Sequence, residues 1–527
     1  MKTIRIIPRL DVKGPNLVKG IHLEGLRVLG LPERFSYNYF LDGADELIYI
    51  DAVASLYGRN NLEEIVRITA ESIFIPITVG GGIRSVDDMR RLLRAGADKV
   101  AINTIAISNP QLISEGAKVF GSQSIIVSIQ AMKISEGKYE AYTDNGREPS
   151  GRDAIEWAKQ AVDLGAGEIL ITSIDQDGTG NGYDLELISK VVEAVAVPVI
   201  ACGGAGCVKH VEEVVRKCNV DAISAASIFH YQFLKKFGVE KRKEGNVEYL
   251  KEFVEGSGSV LKRINPVSVS DLKAQLNKSN VFCVNSRLTD EHNERMSDEH
   301  DKAVPSVVFV DYGRSNLFSV ESAFNSIGSH VEITSDPKKI ANADRLVLAG
   351  VGAFGDGMKS LQENGLVSAI KEYVSKGKPI LGVCLGMQLF MTEGEEFGFS
   401  EGLDLIKGRV VRLKESAYNG QKYKIPHIGW NQIKTPKREE GSSVCHSTRH
   451  WQNETILNGI PSGKSFYFVH SYVVVPDDAE TVIVETDYGE NRFCSIIKRG
   501  SVIGCQFHPE KSGTIGLQLL RNFLYQC

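Results

Sequence analysis

The sequence predicts an α/β chain built in at least two parts, the first of them a (β/α)8 barrel. Two observations carry the barrel: eight short apolar segments alternate with amphipathic stretches over about 250 residues, and the pattern repeats internally about halfway through. A third observation separates the parts. The stretch 284–305 is polar, charged and without apolar period, and reads as a linker between a first domain, 1–283, and a second, 306–527.

The strand candidates, in order, are Ile4–Asp11, Glu46–Asp51, Ile75–Val79, Lys99–Asn103, Ser124–Gln130, Glu168–Ser173, Pro198–Cys202 and Ala222–Ala226. Each is a short apolar run, as expected of a strand buried on both faces. Helical stretches such as Ser85–Ala95, Gly151–Leu164 and Val208–Lys217 lie between them. Eight β-then-α units could also wind into an open sheet, and the repeat argues for the barrel. Pro76-Ile-Thr-Val-Gly-Gly-Gly82, Val86-Asp-Asp-Met and Ala97-Asp98-Lys-Val-Ala-Ile-Asn103-Thr104 form one copy. Pro198-Val-Ile-Ala-Cys-Gly-Gly204, Val211-Glu-Glu-Val and Val220-Asp221-Ala-Ile-Ser-Ala-Ala226-Ser227 form the other. The offset is 122 residues at the prolines and 123 at the aspartates, so two half-barrels of four units each are expected. Each copy ends one strand in glycines and the next in Asn-Thr or Ala-Ser. Such strand ends expose backbone N–H groups and a hydroxyl, which suits a phosphate. Two cradles on opposite sides suit a substrate with a phosphate at each end. Residues 229–266 read as an extension, with Lys235-Lys236 and the charged run 240–244 in a solvated loop.

At 527 residues the chain is too long for one core. Hydrophobic residues at 42% and charged residues at 24% are those of an ordinary globular protein. A net charge of −5 gives no basic face for nucleic acid, so anionic substrates need local features. No apolar run is long enough to span a membrane, and the N-terminus reads as a strand rather than a signal peptide. The nine cysteines are scattered without paired metal spacing, so neither metal nor cofactor is expected and a reducing cytoplasm is.

The second domain carries Pro379-Ile-Leu-Gly-Val-Cys-Leu-Gly-Met-Gln388: an apolar strand, a tight turn with glycines around a cysteine, then a helix start. The spacing Gly382-x-Cys384-x-Gly386 is the thiol form of a nucleophile elbow. The following helix places N–H groups near the sulfur, which favours thiolate. Near the C-terminus, Gly504-Cys-Gln-Phe-His508-Pro-Glu510 supplies a base, His508, and a carboxylate, Glu510, to orient it. On these motifs residues 306–527 resemble a class I glutamine amidotransferase domain. Gly350-Val351-Gly352-Ala-Phe354 matches that family's oxyanion loop, with Ala349 where a proline is usual. Asp311-Tyr-Gly-x-x-Asn316-Leu, Pro426-His-Ile-Gly-Trp-Asn431 and Phe466-Tyr-Phe-Val-His-Ser-Tyr472 resemble the glutaminase of the imidazole glycerol phosphate synthase family in particular. The resemblance implies that Cys384 attacks the glutamine amide through a thioester, with Gln388 helping to hold the substrate.

The first 255 or so residues resemble the cyclase of the same family. The matching motifs are Ile7-Pro-x-Leu-Asp11-Val-Lys, Val18-Lys19-Gly20, Thr78-Val-Gly-Gly-Gly-Ile, Gly96-Ala-Asp-Lys-Val, Thr172-Ser-Ile-Asp-x-Asp177-Gly-Thr179 and the repeats. The resemblance implies that ammonia reaches a bisphosphorylated formimino ribonucleotide, giving imidazole glycerol phosphate and AICAR. Gly82, Asn103, Thr104, Asp177, Gly178, Gly204, Ala226 and Ser227 would line its phosphates. Arg5, Glu46, Lys99 and Glu168, at strand starts, match the family's charged ring at the lower end of the barrel. The ring would be a gate for ammonia, or else a salt-bridged plug.

Two departures stand out. The chemistry wants two facing proton-transfer groups; the family has aspartates, and this chain has Asp11 but Gln130, whose amide transfers no proton at neutral pH. Arg9 replaces a small residue and could pair with Asp11, lowering its pKa, or bind another anion. Both departures look like a divergent branch associated with amidation of surface-polysaccharide sugars. Three readings follow: the synthase reaction itself; a paralogue whose ammonia goes elsewhere, through a separate synthetase; and a barrel that senses a phosphorylated metabolite to control the glutaminase.

Overall fold

The computed structural model describes residues 2–54, 62–238, 263–284, 306–313, 317–418, 421–436 and 451–527. The chain divides into two compact units near residue 288. Asn316 and most of the expected linker lie outside the described residues, as does the run 240–244.

The first unit is a closed parallel barrel. Its strands are β1 (Arg5–Lys13), β2 (Leu47–Asp51), β3 (Ile77–Gly80), β4 (Lys99–Ile102), β5 (Ile125–Ser135), β6 (Glu168–Ser173), β7 (Val199–Cys202) and β8 (Ala222–Ala225). Each pairs in parallel with the next, and Arg5 lies opposite Ala222 to close the ring. An open sheet is thereby excluded. The interior is filled by Ile7, Ile48, Ile126, Leu170, Ile200 and Ala222, every one fully buried: a packed core, not a pore.

The repeat holds in the backbone. Gly81 and Gly82 have φ of +100° and +71°, Gly203 and Gly204 of +93° and +101°. A Cβ on Gly81 would sit 2.5 Å from the Asp51 carbonyl oxygen, and one on Gly204 2.0 Å from that of Gly182. After β4 and β8 the chain turns at Asn103 and Ala226 into helices Thr104–Ser108 and Ser227–Phe237.

Several expected boundaries move. The stretch from Gly151 opens as strand Glu148–Asp153, and its helix is Ala154–Asp163, capped by Asp153 Oδ1 accepting from the N–H groups of Ile155 and Glu156. Lys235 and Lys236 form the last turn of a helix rather than a loop, where cations suit the C-terminal carbonyls. Two hairpins add to the mouth of the barrel: Asn16–Ile21 with Glu24–Gly30, and Lys138–Thr143 with Glu148–Asp153.

The second unit is an α/β domain. Its sheet uses β9 (Ser306–Val310), β10 (His330–Thr334), β11 (Arg345–Gly350), β12 (Ile380–Cys384), β13 (Val482–Tyr488), β14 (Asn491–Arg499) and β15 (Val502–Cys505), in the order β10-β9-β11-β12-β15-β14-β13. The first five of that order run parallel and the last two pairings are antiparallel. No helix among the described residues is long and apolar enough to cross a membrane.

Candidate functional site

In the second unit, β12 lies between β11 and β15, and that placement assembles a polar site at the strand ends. Cys384 ends β12 at φ +51° and ψ −106°, a strained conformation for a residue with a Cβ, costing about 1–3 kcal/mol. The flanking glycines make room for the turn. A Cβ on Gly382 would lie 2.7 Å from the Met387 nitrogen, and one on Gly386 1.7 Å from the Leu348 oxygen. Val383 pairs with Cys505 of β15, which brings His508, three residues on, to the sulfur. His508 Nδ1 lies 2.7 Å from Glu510 Oε1. Burial works against a charge on the ring, but the negative Glu510 and the Cys384 sulfur outweigh it and lift the His508 pKa well above its ordinary value. The Nδ1 proton therefore faces the carboxylate, and Nε2 is left for the thiol.

Gly350 lies opposite Cys384 in the β11–β12 ladder, so the Gly350-Val351-Gly352 loop borders the sulfur. A Cβ on Gly350 would be 1.7 Å from Tyr312 Oη, and Gly352 has φ +110°. Gln388, on helix Leu385–Leu389, donates from Nε2 to the Tyr472 carbonyl (3.0 Å) and to Gln506 Oε1 (3.3 Å). Cys384, His508, Glu510 and Gln388 are all buried.

Two neighbours escaped the sequence reading. Gln506 Nε2 lies 3.6 Å from Cys384 Sγ. It sits inside the quoted His508 motif, and the signal available was an amide at a strand end otherwise made of apolar residues. Glu396 Oε2 accepts from the Phe354 N–H (2.9 Å), at the end of the loop that follows Gly350, and burial pushes its pKa up to about 7. Its acidic neighbourhood, Glu393 to Glu396, gave no sign of that contact.

In the barrel the ring at the strand starts is a closed ion network. Arg5 Nη1 bonds Glu46 (2.8 Å) and Nη2 bonds Glu168; Lys99 Nζ bonds both carboxylates, at 2.7 and 2.9 Å. Burial would raise the Glu46 pKa, but Arg5 and then Lys99 bring it down to about 2.

At the opposite end, Arg9 Nε donates to Asp11 Oδ1 at 2.8 Å, while Nη1 reaches Thr172 Oγ1 (3.4 Å) and Cys202 Sγ (3.5 Å). Burial disfavours the guanidinium charge, yet Asp11 and Cys202 hold it protonated. Gln130 is fixed at both ends of its amide: Oε1 accepts from Asn103 Nδ2 (3.0 Å) and Nε2 donates to Asn145 Oδ1 (3.4 Å). Gln130 and Asn145 share a cavity of about 170 Å³ with Gly82, Asn103, Thr104, Ser128 and Arg84. The buried Asn103 Oδ1 has no partner there.

Across the mouth stand Gly178, Gly204, Ala226 and Ser227. Asp177, expected among the phosphate-lining residues, pairs its carboxylate with Lys19 Nζ at 2.7 Å and donates its N–H to the Ser173 carbonyl at 3.0 Å. Burial opposes its charge, and Lys19 with Arg9 lowers its pKa nonetheless. Among the described residues no cluster of His, Cys, Asp or Glu is placed to hold a metal.

Comparison with known proteins agrees with this architecture. Residues 5–235 match the family model described as "Histidine biosynthesis protein", and residues 308–527 the one described as "Glutamine amidotransferase class-I". The chain is 62% identical over 206 residues to "Imidazole glycerol phosphate synthase subunit HisF" of Legionella pneumophila, covering 39% of this chain and 97% of that protein. It is 51% identical over 245 residues to the subunit of the same name from Bacillus cereus strain G9842, covering 46% and 97%. The chain therefore belongs, through its barrel, to the family of HisF cyclase subunits, and carries a class I glutamine amidotransferase domain in the same polypeptide.

Proposed function

We propose that the chain is a glutamine amidotransferase of the imidazole glycerol phosphate synthase type, hydrolysing glutamine in its second unit and using the ammonia at the barrel mouth. The observation that carries the reading is the row of Cys384, His508 and Glu510 around a strained elbow. Cys384 Sγ attacks the amide carbon of glutamine, and the tetrahedral oxyanion forms beside the N–H groups of Gly350, Val351 and Gly352. His508 Nε2 hands its proton to the leaving nitrogen, releasing ammonia and leaving a thioester. The now neutral imidazole takes a proton from water, hydroxide attacks the thioester, and glutamate leaves as the thiol is restored. Glu510 holds the imidazole proton on Nδ1 throughout. Gln388 helps to hold the glutamine.

In the barrel the acceptor is a bisphosphorylated formimino ribonucleotide, converted to imidazole glycerol phosphate and AICAR. One phosphate is cradled by Gly82, Asn103 and Thr104, the other by Gly178, Gly204, Ala226 and Ser227. Asp11 moves the proton there and Gln130 orients the substrate. Arg5, Glu46, Lys99 and Glu168 gate the ammonia.

A second reading rests on Gln130. Its amide is tied at both ends and carries no transferable proton, and Asp11 is tied to Arg9. That pair of features favours altered cyclase chemistry, and the resemblance to a divergent branch then implies a paralogue that passes ammonia to the amidation of a surface-polysaccharide sugar. The deciding experiment is turnover of the formimino ribonucleotide with ammonium chloride, following AICAR, beside Gln130→Asp. Turnover by the parent protein supports the synthase. No turnover by the parent, with glutamine hydrolysis intact, supports the paralogue. Tight binding of the ribonucleotide that accelerates glutamine hydrolysis without product would make the barrel a sensor.

A further inference from the structure

We infer that Gln506, outside the Cys384–His508–Glu510 row, is a second hydrogen-bond donor to the nucleophile, held in its donating orientation by a directed chain of groups that begins at the Tyr472 carbonyl oxygen. The inference deepens the glutaminase reading and rests on it.

The direction of each bond in the chain is set by chemistry. His470 is buried, and burial lowers its pKa to about 3, so its ring is neutral and carries one proton. His470 Nδ1 lies 3.0 Å from the Tyr472 carbonyl oxygen, which only accepts, so the proton is on Nδ1. His470 Nε2 then accepts from His427 Nδ1 at 3.1 Å. The same Tyr472 oxygen takes a hydrogen from Gln388 Nε2 at 3.0 Å. The other Gln388 hydrogen goes to Gln506 Oε1 at 3.3 Å. With its oxygen so engaged, Gln506 turns its NH2 to Cys384 Sγ at 3.6 Å. Gln506 is fully buried and its backbone N–H is bonded to the Ser495 carbonyl (2.9 Å), so the side chain enters the site from a fixed point.

A donor aimed at sulfur stabilises thiolate over thiol and fixes the direction of the lone pair that attacks. His508 alone cannot do both, because it must turn toward the leaving nitrogen as the reaction proceeds. Gln506 keeps its bond in place and takes no part in the proton transfer. A further consequence concerns Gln388: both its amide hydrogens are used within the protein, so only Oε1 remains to meet glutamine.

The titratable groups around the sulfur are His508 with Glu510 behind it, Cys505 of β15, and His470 beyond His508. None of them is altered in Gln506→Met or Gln506→Asn. The first removes the donor at similar volume, and the second retracts the amide by one methylene. The test is the pH profile of Cys384 alkylation by iodoacetamide in the full chain without glutamine, read by mass spectrometry of the Cys384 peptide, with circular dichroism to verify folding. Both variants should move the midpoint upward by about one pH unit and lower the glutaminase kcat about 10- to 100-fold, with glutamine KM changed less than about threefold. An unchanged midpoint in whichever of the two variants folds overturns the inference. Because alkylation needs no turnover, a parent protein that hydrolysed no glutamine would overturn the glutaminase reading while the midpoint still judged Gln506.

Discussion

Lys99→Met tests whether the ring at the barrel's lower end is held by its own charge balance. Arg5, Lys99, Glu46 and Glu168 are each 1% exposed or less, and their charges cancel. Removing Lys99 leaves one negative charge in excess, with no water to solvate it. The Glu46 pKa falls from 4.5 to about 2 in the folded barrel, a difference worth about 3 kcal/mol, and breaking a buried pair costs about 3–5 kcal/mol. Lys99→Met should therefore destabilise the barrel by about 3–4 kcal/mol at neutral pH. Adding Glu168→Gln restores neutrality and should recover most of the loss. The sign with pH follows from a depressed folded pKa: the Glu46 contribution is full above the unfolded value of about 4.5 and is lost as pH falls through about 2. The gap between parent and Lys99→Met should accordingly narrow on acidification through that window. Urea unfolding in a Trp430→Phe, Trp451→Phe background leaves Trp157, buried in the barrel, as the reporter. A single variant within about 1 kcal/mol of the parent, or a double variant no better than the single, would refute the reasoning.

Three further outcomes are expected. Glu510→Gln removes the main charge that keeps His508 protonated, so steady-state glutamine hydrolysis should fall about 10²–10⁴-fold, with the alkaline limb of its pH profile shifted down. Glu396, at about pH 7, changes from acid to carboxylate where it holds the Phe354 N–H; glutamine KM should rise as pH drops below 7, and Glu396→Gln should flatten that dependence. Gly386→Ala places a Cβ 1.7 Å from the Leu348 oxygen, so it should abolish glutamine hydrolysis and cost the second unit about 3 kcal/mol or more, with the Trp157 signal of the barrel unaltered.

The barrel was legible because strands covered on both faces leave an unmistakable pattern. Seven fall within two residues of their expected limits, Glu168–Ser173 matches at both ends, and Ile125–Ser135 runs five residues past its expected end. The hairpins were not legible. Strand Glu148–Asp153 is Glu-Pro-Ser-Gly-Arg-Asp, exposed or half-buried throughout; it is held by backbone pairing to Lys138–Thr143, which no apolar period announces. At the thiol site the juxtaposition of Cys384, His508 and Glu510 could be read from glycine spacing and residue type. Gln506 and Glu396 could not, since an amide or a carboxylate acquires its part from orientation and burial. Asp177 shows the converse: its motif was plain, and only the structure gives its carboxylate to Lys19.

Gln130 is built into the mouth rather than merely tolerated there. Strands β1 and β5 each open a half-barrel, and they carry Asp11 and Gln130 at matching ends. Gln130 uses a property that aspartate lacks: one end accepts from Asn103 while the other donates to Asn145 Oδ1. Asn145 cannot simply reverse, because its Nδ2 donates to the Leu23 carbonyl (3.2 Å) in the tip of the first hairpin. An aspartate at position 130, shorter by one methylene and without a donor, would give up the contact to Asn145 and leave that buried oxygen unpaired, at a cost of about 1–3 kcal/mol. A side chain so tied to its neighbours points to a site reshaped around it, and that is the physical ground for testing Gln130→Asp beside the parent protein.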